Sequence, residues 1–270
     1  MISFPNCKIN LGLYVTEKRE DGYHSIESIF VPVPLNDVLE IVPSENGQFE
    51  LFLTGSKETI DRENNICWKA LMLLRSDFEL VPSAIYLHKN IPSGAGLGGG
   101  SADGAFALKL FNSYYKLNLS VEVLKEYAAI LGSDCPFFIE NKIQFVSGRG
   151  EVMHDLDLNL SRTTIVVIHP SIHVSTKEAY SLINPKRASL DLKQINTIPR
   201  SEWKSVVRND FETPLISKFP VIREIKEGLY DKGAFYASMS GSGSAVYGLF
   251  ENDVEVSGLF EPHFCWKGML

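Results

Sequence analysis

The stretch that decides the fold is Ile91-Pro-Ser-Gly-Ala-Gly-Leu-Gly-Gly-Gly-Ser-Ala102, which holds five glycines between positions 94 and 100. Residues 85–88 alternate as in a short strand, and residues 102–114 carry apolar side chains at helical spacing. Glycine lets backbone N–H groups approach an anion closely, and a helix N-terminus adds unpaired N–H donors and partial positive charge. Because the loop lies tightly between a strand and a helix, the pattern favours a phosphate-binding loop over a flexible linker.

The residues around the glycines limit which type of phosphate-binding loop this can be. No Gly-Lys-Ser/Thr closes the loop, so it is not a Walker A loop. Gly94-x-Gly96-x-x-Gly99 does match the dinucleotide fingerprint, but that fold needs an acidic residue at the end of the next strand. Glu122 falls inside a predicted helix instead. An NAD-dependent dehydrogenase therefore stays open as the alternative from a different enzyme class.

Length and composition bound the remaining possibilities. A chain of 270 residues with 44% hydrophobic residues predicts one large or two modest domains. The net charge of −7 and the absence of a basic run argue against a nucleic-acid surface. Four scattered cysteines (Cys7, Cys67, Cys135 and Cys265) indicate buried thiols in a reducing compartment. With no signal-like or 18-residue apolar segment, we expect a cytoplasmic protein without a membrane partner, as a monomer or weak homodimer.

The first part of the chain is predicted to form mainly strands, and Lys8 lies in the first of them. Residues 3–15 alternate, so Lys8 and Asn10 share a face, which is either solvent-exposed or part of a site. Asp21-Gly22 predicts a tight reversal within residues 17–24. Strands are expected at 25–33, 37–42 and 49–54, with Pro32 and Pro34 at an edge or strand end, and a helix at 64–78.

After the glycine loop, the pattern predicts a helix over 121–131, with Ser120 as its N-cap and Gly132 as its stop. Asp134 follows in a turn before Cys135-Pro136. It is either an ordinary turn residue or a carboxylate that takes part in the chemistry. The irregular residues 156–161 suggest a boundary, which gives domains 1–158 and 159–270.

The second domain begins with an apolar strand over 163–169 and a short helix that carries Tyr180. Residues 184–199 form a polar stretch whose mobility the sequence leaves open, and helices are expected at 202–207 and from Pro220 to Gly233. A glycine–serine loop at 237–244 precedes the strand 245–250. It is either a plain hairpin turn or a loop that binds the substrate. The sequence thus combines four features that a phosphoryl transferase needs: a phosphate loop, a lysine, a carboxylate and a second glycine loop.

Residues 92–101 resemble the ATP loop of the GHMP kinase superfamily, and Ser240-Gly-Ser-Gly-Ser244 is similar to its third motif. Three segments resemble one family within it more closely: Cys7-Lys-Ile-Asn-Leu11, Asp21-Gly-Tyr-His24 and Gly132-Ser-Asp-Cys-Pro-Phe-Phe138. The resemblance implies an α+β fold of two domains, an N-terminal mixed sheet with helices and a smaller C-terminal α+β domain. It also implies ATP, Mg²⁺ and a small-molecule substrate made of cytidine diphosphate and a methylerythritol, phosphorylated on a hydroxyl of the latter.

The resemblance also assigns roles residue by residue. Asp134 would be the general base, with Lys8 as its charge partner. The substrate would bind Asn10, Tyr23, His24, Tyr180, Gly241 and Gly243. The ATP phosphates would bind Pro92, Ser93, Gly94, Ala95, Gly96, Leu97, Gly98, Gly99, Gly100, Ser101 and Ala102, with Ser101 as the candidate Mg²⁺ ligand.

The chain departs from the family pattern at Asp103, where asparagine is frequent. Its charge must point away from a bound nucleotide if the assignment holds. A sibling kinase acting on mevalonate or homoserine, and a non-catalytic nucleotide-binding module, remain as alternatives.

Overall fold

The computed structural model describes residues 1–55 and 61–270. Their strands are β1 (Ile2–Ser3), β2 (Asn6–Lys18), β3 (His24–Asn36), β4 (Val38–Pro43), β5 (Glu50–Thr54), β6 (Ser83–His88), β7 (Gln144–Ser147), β8 (Val152–Asp155), β9 (Thr164–His169), β10 (Tyr236–Met239), β11 (Val246–Phe250) and β12 (Phe264–Met269). Their α-helices are α1 (Ile66–Asp77), α2 (Gly99–Tyr114), α3 (Val121–Leu131), α4 (Cys135–Glu140), α5 (Thr176–Ser181), α6 (Trp203–Val206), α7 (Glu212–Lys218) and α8 (Val221–Asp231). Within these ranges, no helix combines the length and the apolar character needed to cross a bilayer.

The chain separates into two compact units built from discontinuous segments. Unit 1 comprises Met1–Cys7, Leu35–Ser93 and Gly98–Lys142. Unit 2 comprises Lys8–Pro34, Gly94–Leu97 and Ile143–Leu270. The domain boundary after residue 158 stays a prediction, because it divides the chain in sequence order whereas these units follow spatial contacts.

Unit 1 contains a four-stranded sheet in the order β1-β4-β6-β5, in which β5 and β6 are parallel and the other pairs antiparallel. Helix α2 packs against α1, α3 and α4. The bounds predicted for α3 are confirmed, with the Ser120 hydroxyl accepting a hydrogen bond from Val123 N (3.4 Å). The helix predicted at 64–78 is α1, capped by the Asn65 side chain, which accepts from Cys67 N (2.9 Å).

One helix start differs from the sequence prediction. Helix α2 begins at Gly99 rather than after Ser101, since Gly98 ends the loop in the left-handed region (φ +70°) and the missing side chain of Gly99 lets the helix pack against Ile91. Residues 135–140, for which no secondary structure was predicted, form α4. Pro136 is tolerated there because the first turn of a helix needs no N–H donor from it.

Unit 2 contains two four-stranded sheets, in the orders β2-β3-β7-β8 and β10-β11-β9-β12. The predicted Asp-Gly reversal is confirmed, because Arg19 N donates to Tyr23 O (2.8 Å) and Asp21 Oδ1 accepts from Tyr23 N (3.0 Å). Strand β3 runs through both prolines, which lie beyond its pairing with β7 at Ser28–Phe30.

The core of unit 2 lies between β9, β11 and α8. It buries the predicted apolar face of α8 (Ile222, Ile225 and Leu229) against Val166, Ile168 and Val246. Within the polar stretch 184–199, Leu192 and Ile195 are completely buried in a 3₁₀ turn. This stretch is therefore anchored by two apolar side chains that the sequence analysis did not single out.

Candidate active site

The phosphate loop has the backbone geometry of an anion-binding concavity. Gly94, Gly96 and Gly98 all have positive φ (+64°, +77° and +70°), alternating with residues of ordinary conformation. Such alternation turns successive N–H groups toward one side and forms a nest for an anion. Ala95 and Leu97 are each 1% exposed, so these two predicted ATP-binding residues can contribute only backbone groups.

Hydrogen bonds hold the middle of the phosphate loop, Gly94–Leu97, in place within unit 2. Ala95 O accepts from Ala245 N (3.0 Å), and Leu97 O accepts from Lys8 N (2.8 Å). The Ser240 hydroxyl donates to Gly96 O (2.8 Å). The two glycine-rich stretches found in the sequence therefore lie side by side.

The second glycine loop connects β10 to β11, which pair antiparallel up to Met239 and Val246. It is thus a hairpin connection that also packs on the phosphate loop, so the two sequence interpretations are compatible. Gly241 and Gly243 are buried, and a side chain on Gly241 would come within 3.0 Å of Gly96 O. Close packing requires glycine at 241, and contact of either glycine with substrate stays a prediction.

The lysine of β2 lies at the start of a buried polar chain. Lys8 Nζ donates to Asn10 Oδ1 (2.7 Å), Asn10 Nδ2 donates to Ser28 Oγ (2.9 Å), and Ser28 Oγ donates to Gly12 O (2.6 Å). Lys8 is 4% exposed and Asn10 is 1% exposed, which excludes the solvent-face interpretation of this strand. A buried ammonium needs such partners, and a cation held this way is suited to offset developing negative charge.

Asp134 lies immediately before α4, half-buried, and its side chain does not cap that helix. The neighbouring Cys135 thiol is buried, which raises its pKa to about 12, and its hydrogen bond with Ser101 acts in the opposite direction. Ser101 lies in the first turn of α2, directly after the phosphate loop. Unit 1 therefore brings the candidate base close to the end of the loop that would hold the transferred phosphate.

Aromatic side chains gather at the β2–β3 turn and α5. The rings of His24 and Tyr180 stack at a centroid distance of 4.8 Å and an interplanar angle of 21°, and Phe211 meets Tyr180 edge-on at 4.9 Å. Burial, with a smaller effect of Lys18, lowers the pKa of His24, which favours the neutral imidazole.

Tyr23 is more open than the stacked pair beside it. It is 60% exposed, and its ring has the Arg149 guanidinium 5.2 Å from its centroid. Because the His24 and Tyr180 rings are already in contact, a base could enter between them only if they separate.

A positioning segment that was not predicted from the sequence is Asn209-Asp210-Phe211-Glu212. Asn209 Nδ2 donates to Met239 O (2.8 Å) and to Gly241 O (2.9 Å), and Glu212 Oε1 accepts from Met239 N (2.8 Å). These three bonds fix the start of the second glycine loop. Only the polar spacing Asn-Asp-x-Glu beside a predicted helix could have marked the segment, and that pattern is common in loops.

The same segment also reaches the lysine strand and the aromatic group. Asp210 Oδ2 accepts from Val15 N (2.9 Å), Leu13 O accepts from Asp210 N (2.9 Å), and Phe211 supports the Tyr180 ring. Four consecutive residues therefore contact three parts of the site that are far apart in sequence.

The described ranges 1–55 and 61–270 contain no cluster of three His, Cys, Asp or Glu side chains suited to hold a metal ion. The donors near the phosphate loop are hydroxyl and carboxylate oxygens, which suit Mg²⁺ rather than a softer metal. Asp103 is 2% exposed and paired with Lys89 (2.5 Å), so its carboxylate is buried and already engaged in an ion pair.

Comparison with known proteins agrees with this geometry. Residues 65–142 match the GHMP kinases N terminal domain, and residues 191–261 match the GHMP kinases C terminal domain. A crystal structure of mevalonate kinase from Methanococcus jannaschii is 14% identical, with a TM-score of 0.71 over 100% of this chain and 98% of that one, which is a likeness of fold alone. The chain is a GHMP kinase, and its predicted α+β class of two domains is confirmed.

The more similar relatives define the family within that class. The 4-diphosphocytidyl-2-C-methyl-D-erythritol kinase of Bacteroides fragilis is 50% identical over 99% of this chain and 98% of its own length. A crystal structure of 4-(cytidine 5'-diphospho)-2C-methyl-D-erythritol kinase is 32% identical, with a TM-score of 0.80 over 93% of this chain and 91% of that one. The chain belongs to the family of 4-diphosphocytidyl-2-C-methyl-D-erythritol kinases.

Proposed function

We infer that the chain transfers a phosphoryl group from ATP to the 2-hydroxyl of 4-diphosphocytidyl-2-C-methyl-D-erythritol, giving the 2-phosphate and ADP. This reaction belongs to the non-mevalonate (methylerythritol phosphate) route to isoprenoid precursors. The observation that carries the inference is the 50% identity to a kinase of that name over nearly the full length of both chains. Mevalonate kinase, at 14% identity, supports the fold but not that substrate.

We propose Asp134 as the general base that accepts the proton of the substrate hydroxyl as its oxygen attacks the γ-phosphorus. Lys8 is proposed to keep that carboxylate ionised and to offset charge on the transferring phosphoryl group. Asn10 would hold the substrate through its amide. The hydrogen bond from Lys8 to Asn10 supports these roles, because it orients both side chains before substrate binds.

The phosphates of ATP are proposed to bind at residues 92–102, mainly through backbone N–H groups; Pro92 has no N–H, and Ala102 N already donates to Gly98 O (2.9 Å). The positive φ values of Gly94, Gly96 and Gly98 support this assignment. Mg²⁺ supplies charge neutralisation when bound, and Ser101 is the protein oxygen proposed to reach it. Phosphate oxygens and water would provide the remaining ligands, which is usual for Mg²⁺ at a nucleotide.

The cytosine ring is proposed to bind at Tyr23, His24 and Tyr180, by stacking and by hydrogen bonds to the base edge. The neutral His24 imidazole presents one donor and one acceptor nitrogen, which suits the mixed edge of a cytosine. Gly241 and Gly243 are proposed to line the substrate site through backbone groups. A cytoplasmic location and a monomer or weak homodimer without a nucleic-acid partner remain proposals.

The test is ADP release with ATP, Mg²⁺ and 4-diphosphocytidyl-2-C-methyl-D-erythritol, for the parent and for Asp134→Asn. Asparagine keeps the shape but cannot accept the proton, so we expect a fall of about 10²- to 10⁴-fold in kcat. Asp253→Asn is the matched control, because Asp253 is an exposed surface partner of Lys267.

Each outcome of this experiment has a distinct meaning. Turnover that survives in Asp134→Asn would remove Asp134 as the base and keep the function. No turnover in a folded parent, with turnover of mevalonate or homoserine instead, would overturn the substrate. Binding of NAD without ATP would favour the dehydrogenase, and ATP binding without turnover would favour a non-catalytic module.

A further inference from the structure

A buried carboxylate holds the chain immediately before the phosphate loop. Asp37, at the β3–β4 corner, is completely buried. Its Oδ1 accepts from Asn90 N (2.6 Å) and from Ile91 N (2.8 Å). Both N–H groups belong to the last residues before Pro92, so this carboxylate sets the direction in which the chain enters the loop.

A buried lysine connects this carboxylate to the helix on the other side of the loop. Lys89 is 8% exposed, and its Nζ donates to Asp37 Oδ2 and to Asp103 Oδ2, the latter at 2.5 Å. Asp103 lies in the first turns of α2, just beyond the loop glycines. One ammonium group therefore links the entry and the exit of the phosphate loop.

We propose that Asp37, Lys89 and Asp103 form a clamp that positions the phosphate loop for nucleotide binding. The proposal rests on the proposed role of residues 92–102 in binding ATP. Three glycines with positive φ make the loop intrinsically free, so N–H groups aimed at a phosphate must be fixed from outside. The clamp holds both ends, which lowers the ordering entropy that binding would otherwise require.

The net charge of the clamp matters because the clamp lies at both ends of a loop proposed to bind an anion. Two ionised carboxylates with one ammonium would leave a net negative charge close to the phosphates. Burial, together with the Asp37 charge and a hydrogen bond to Asp37, raises the pKa of Asp103 to about 8, against the opposing effect of Lys89. This shift favours the protonated form of Asp103, which reduces the negative charge of the clamp. The Cys67 thiol, which donates to Asp103 O (3.6 Å), has a raised pKa and stays neutral.

The proposal is tested by titrating Lys89→Met, Asp103→Ala and Asp103→Asn with a non-hydrolysable ATP analogue in a calorimeter. We expect the Kd to rise about tenfold or more in Lys89→Met and in Asp103→Ala, which both lose the link to α2. Asp103→Asn keeps a side-chain oxygen for Lys89, so its Kd should stay within about threefold of the parent.

Two further measurements separate positioning from folding. In steady state, the KM for ATP should rise in Asp103→Ala while the KM for the cytidyl substrate changes by less than about threefold. Lys125→Met, which removes a lysine paired with Glu140 in the same unit, is the matched control. If Lys89→Met does not fold, the nucleotide Kd values of Asp103→Ala and Asp103→Asn are sufficient to test the clamp.

Equal nucleotide Kd values for the parent, Asp103→Ala and Asp103→Asn would overturn the clamp. So would parallel increases in both KM values, because they would indicate general damage to the protein. A parent that binds the ATP analogue but does not phosphorylate the cytidyl substrate would defeat the proposed function. In that case the calorimetric comparison would still test the clamp.

Discussion

Gly96 is where the two glycine loops approach each other most closely. A Cβ atom built on it would lie 2.2 Å from Ser240 O and 3.1 Å from Gly243 O, and its φ is +77°. Backbone atoms cannot move aside as the end of a flexible side chain can. Glycine is therefore required here by contact as well as by conformation.

Gly96→Ala is expected to destabilise the protein by about 2–4 kcal/mol, through steric overlap and left-handed strain together. Gly100 offers the matched control, since a Cβ there meets nothing within 4 Å and the residue lies in the first turn of α2. Gly100→Ala should raise the free energy of unfolding by up to about 1 kcal/mol. Urea unfolding of both variants checks this, and equal stability of the two would contradict it.

At the scale of elements, the segment Asn209–Glu212 connects parts of the site that local sequence cannot connect. Asn209 holds the second glycine loop, Asp210 holds β2, and Phe211 supports Tyr180. Glu212 is 8% exposed and is balanced by Lys226 (2.6 Å). Each of these contacts depends on tertiary structure.

Asn209→Asp removes the two donated hydrogen bonds and sets a carboxylate against the carbonyl oxygens of Met239 and Gly241. Its Oδ1 can still accept from Phe211 N, so the local turn is retained. We expect a loss of about 2–4 kcal/mol in the free energy of unfolding, because buried acceptors are left without donors.

The control for this prediction is Asn196→Asp, the same substitution at an exposed asparagine that donates to Asp157 O. It should change stability by less than about 0.5 kcal/mol. Urea unfolding of both variants gives the comparison, and equal losses at the two positions would show that burial of Asn209 is irrelevant.

Local signals were sufficient for some elements and insufficient for others. The bounds of α3 followed from a serine cap, an apolar period and a stop glycine, all within thirteen residues. The start of α2 did not, because a glycine that usually disfavours helix is accommodated there by packing against Ile91. Tertiary context overrode intrinsic preference at that position.

At the scale of the whole molecule, the clamp makes the free energy of unfolding depend on pH. The folded protein holds a proton on Asp103 between its ordinary pKa of 3.8 and its raised pKa of about 8, whereas the unfolded chain has lost it. Stability should therefore fall as pH rises through this window, by at most about 1.4 kcal/mol per pH unit.

The measurement is urea unfolding of the parent and of Asp103→Asn at pH 5, 6, 7 and 8. The stability of the parent relative to the variant should decrease steadily as pH rises, because asparagine cannot ionise. Other groups that titrate in this range, such as His24, cancel in the difference. Parallel curves for the two proteins would contradict the raised pKa of Asp103.

The sequence by itself determined the glycine-rich loop between a strand and a helix, most element positions and, through the resemblance of its short motifs, the kinase family; the roles of Lys8 and Asp134 stay predictions, and all of these depend on short motifs and local periodicity. Only the tertiary structure decided that the two glycine loops pack together, that Lys8 and Asn10 are buried, and that residues 209–212 join distant parts of the site. It also decided that Asp103 is buried beside Lys89 and Asp37, which raises the pKa of a carboxyl that the sequence presented only as an unfavourable charge. Ionisation and loop positioning depend on desolvation and on contacts between residues distant along the chain, and no local pattern encodes either.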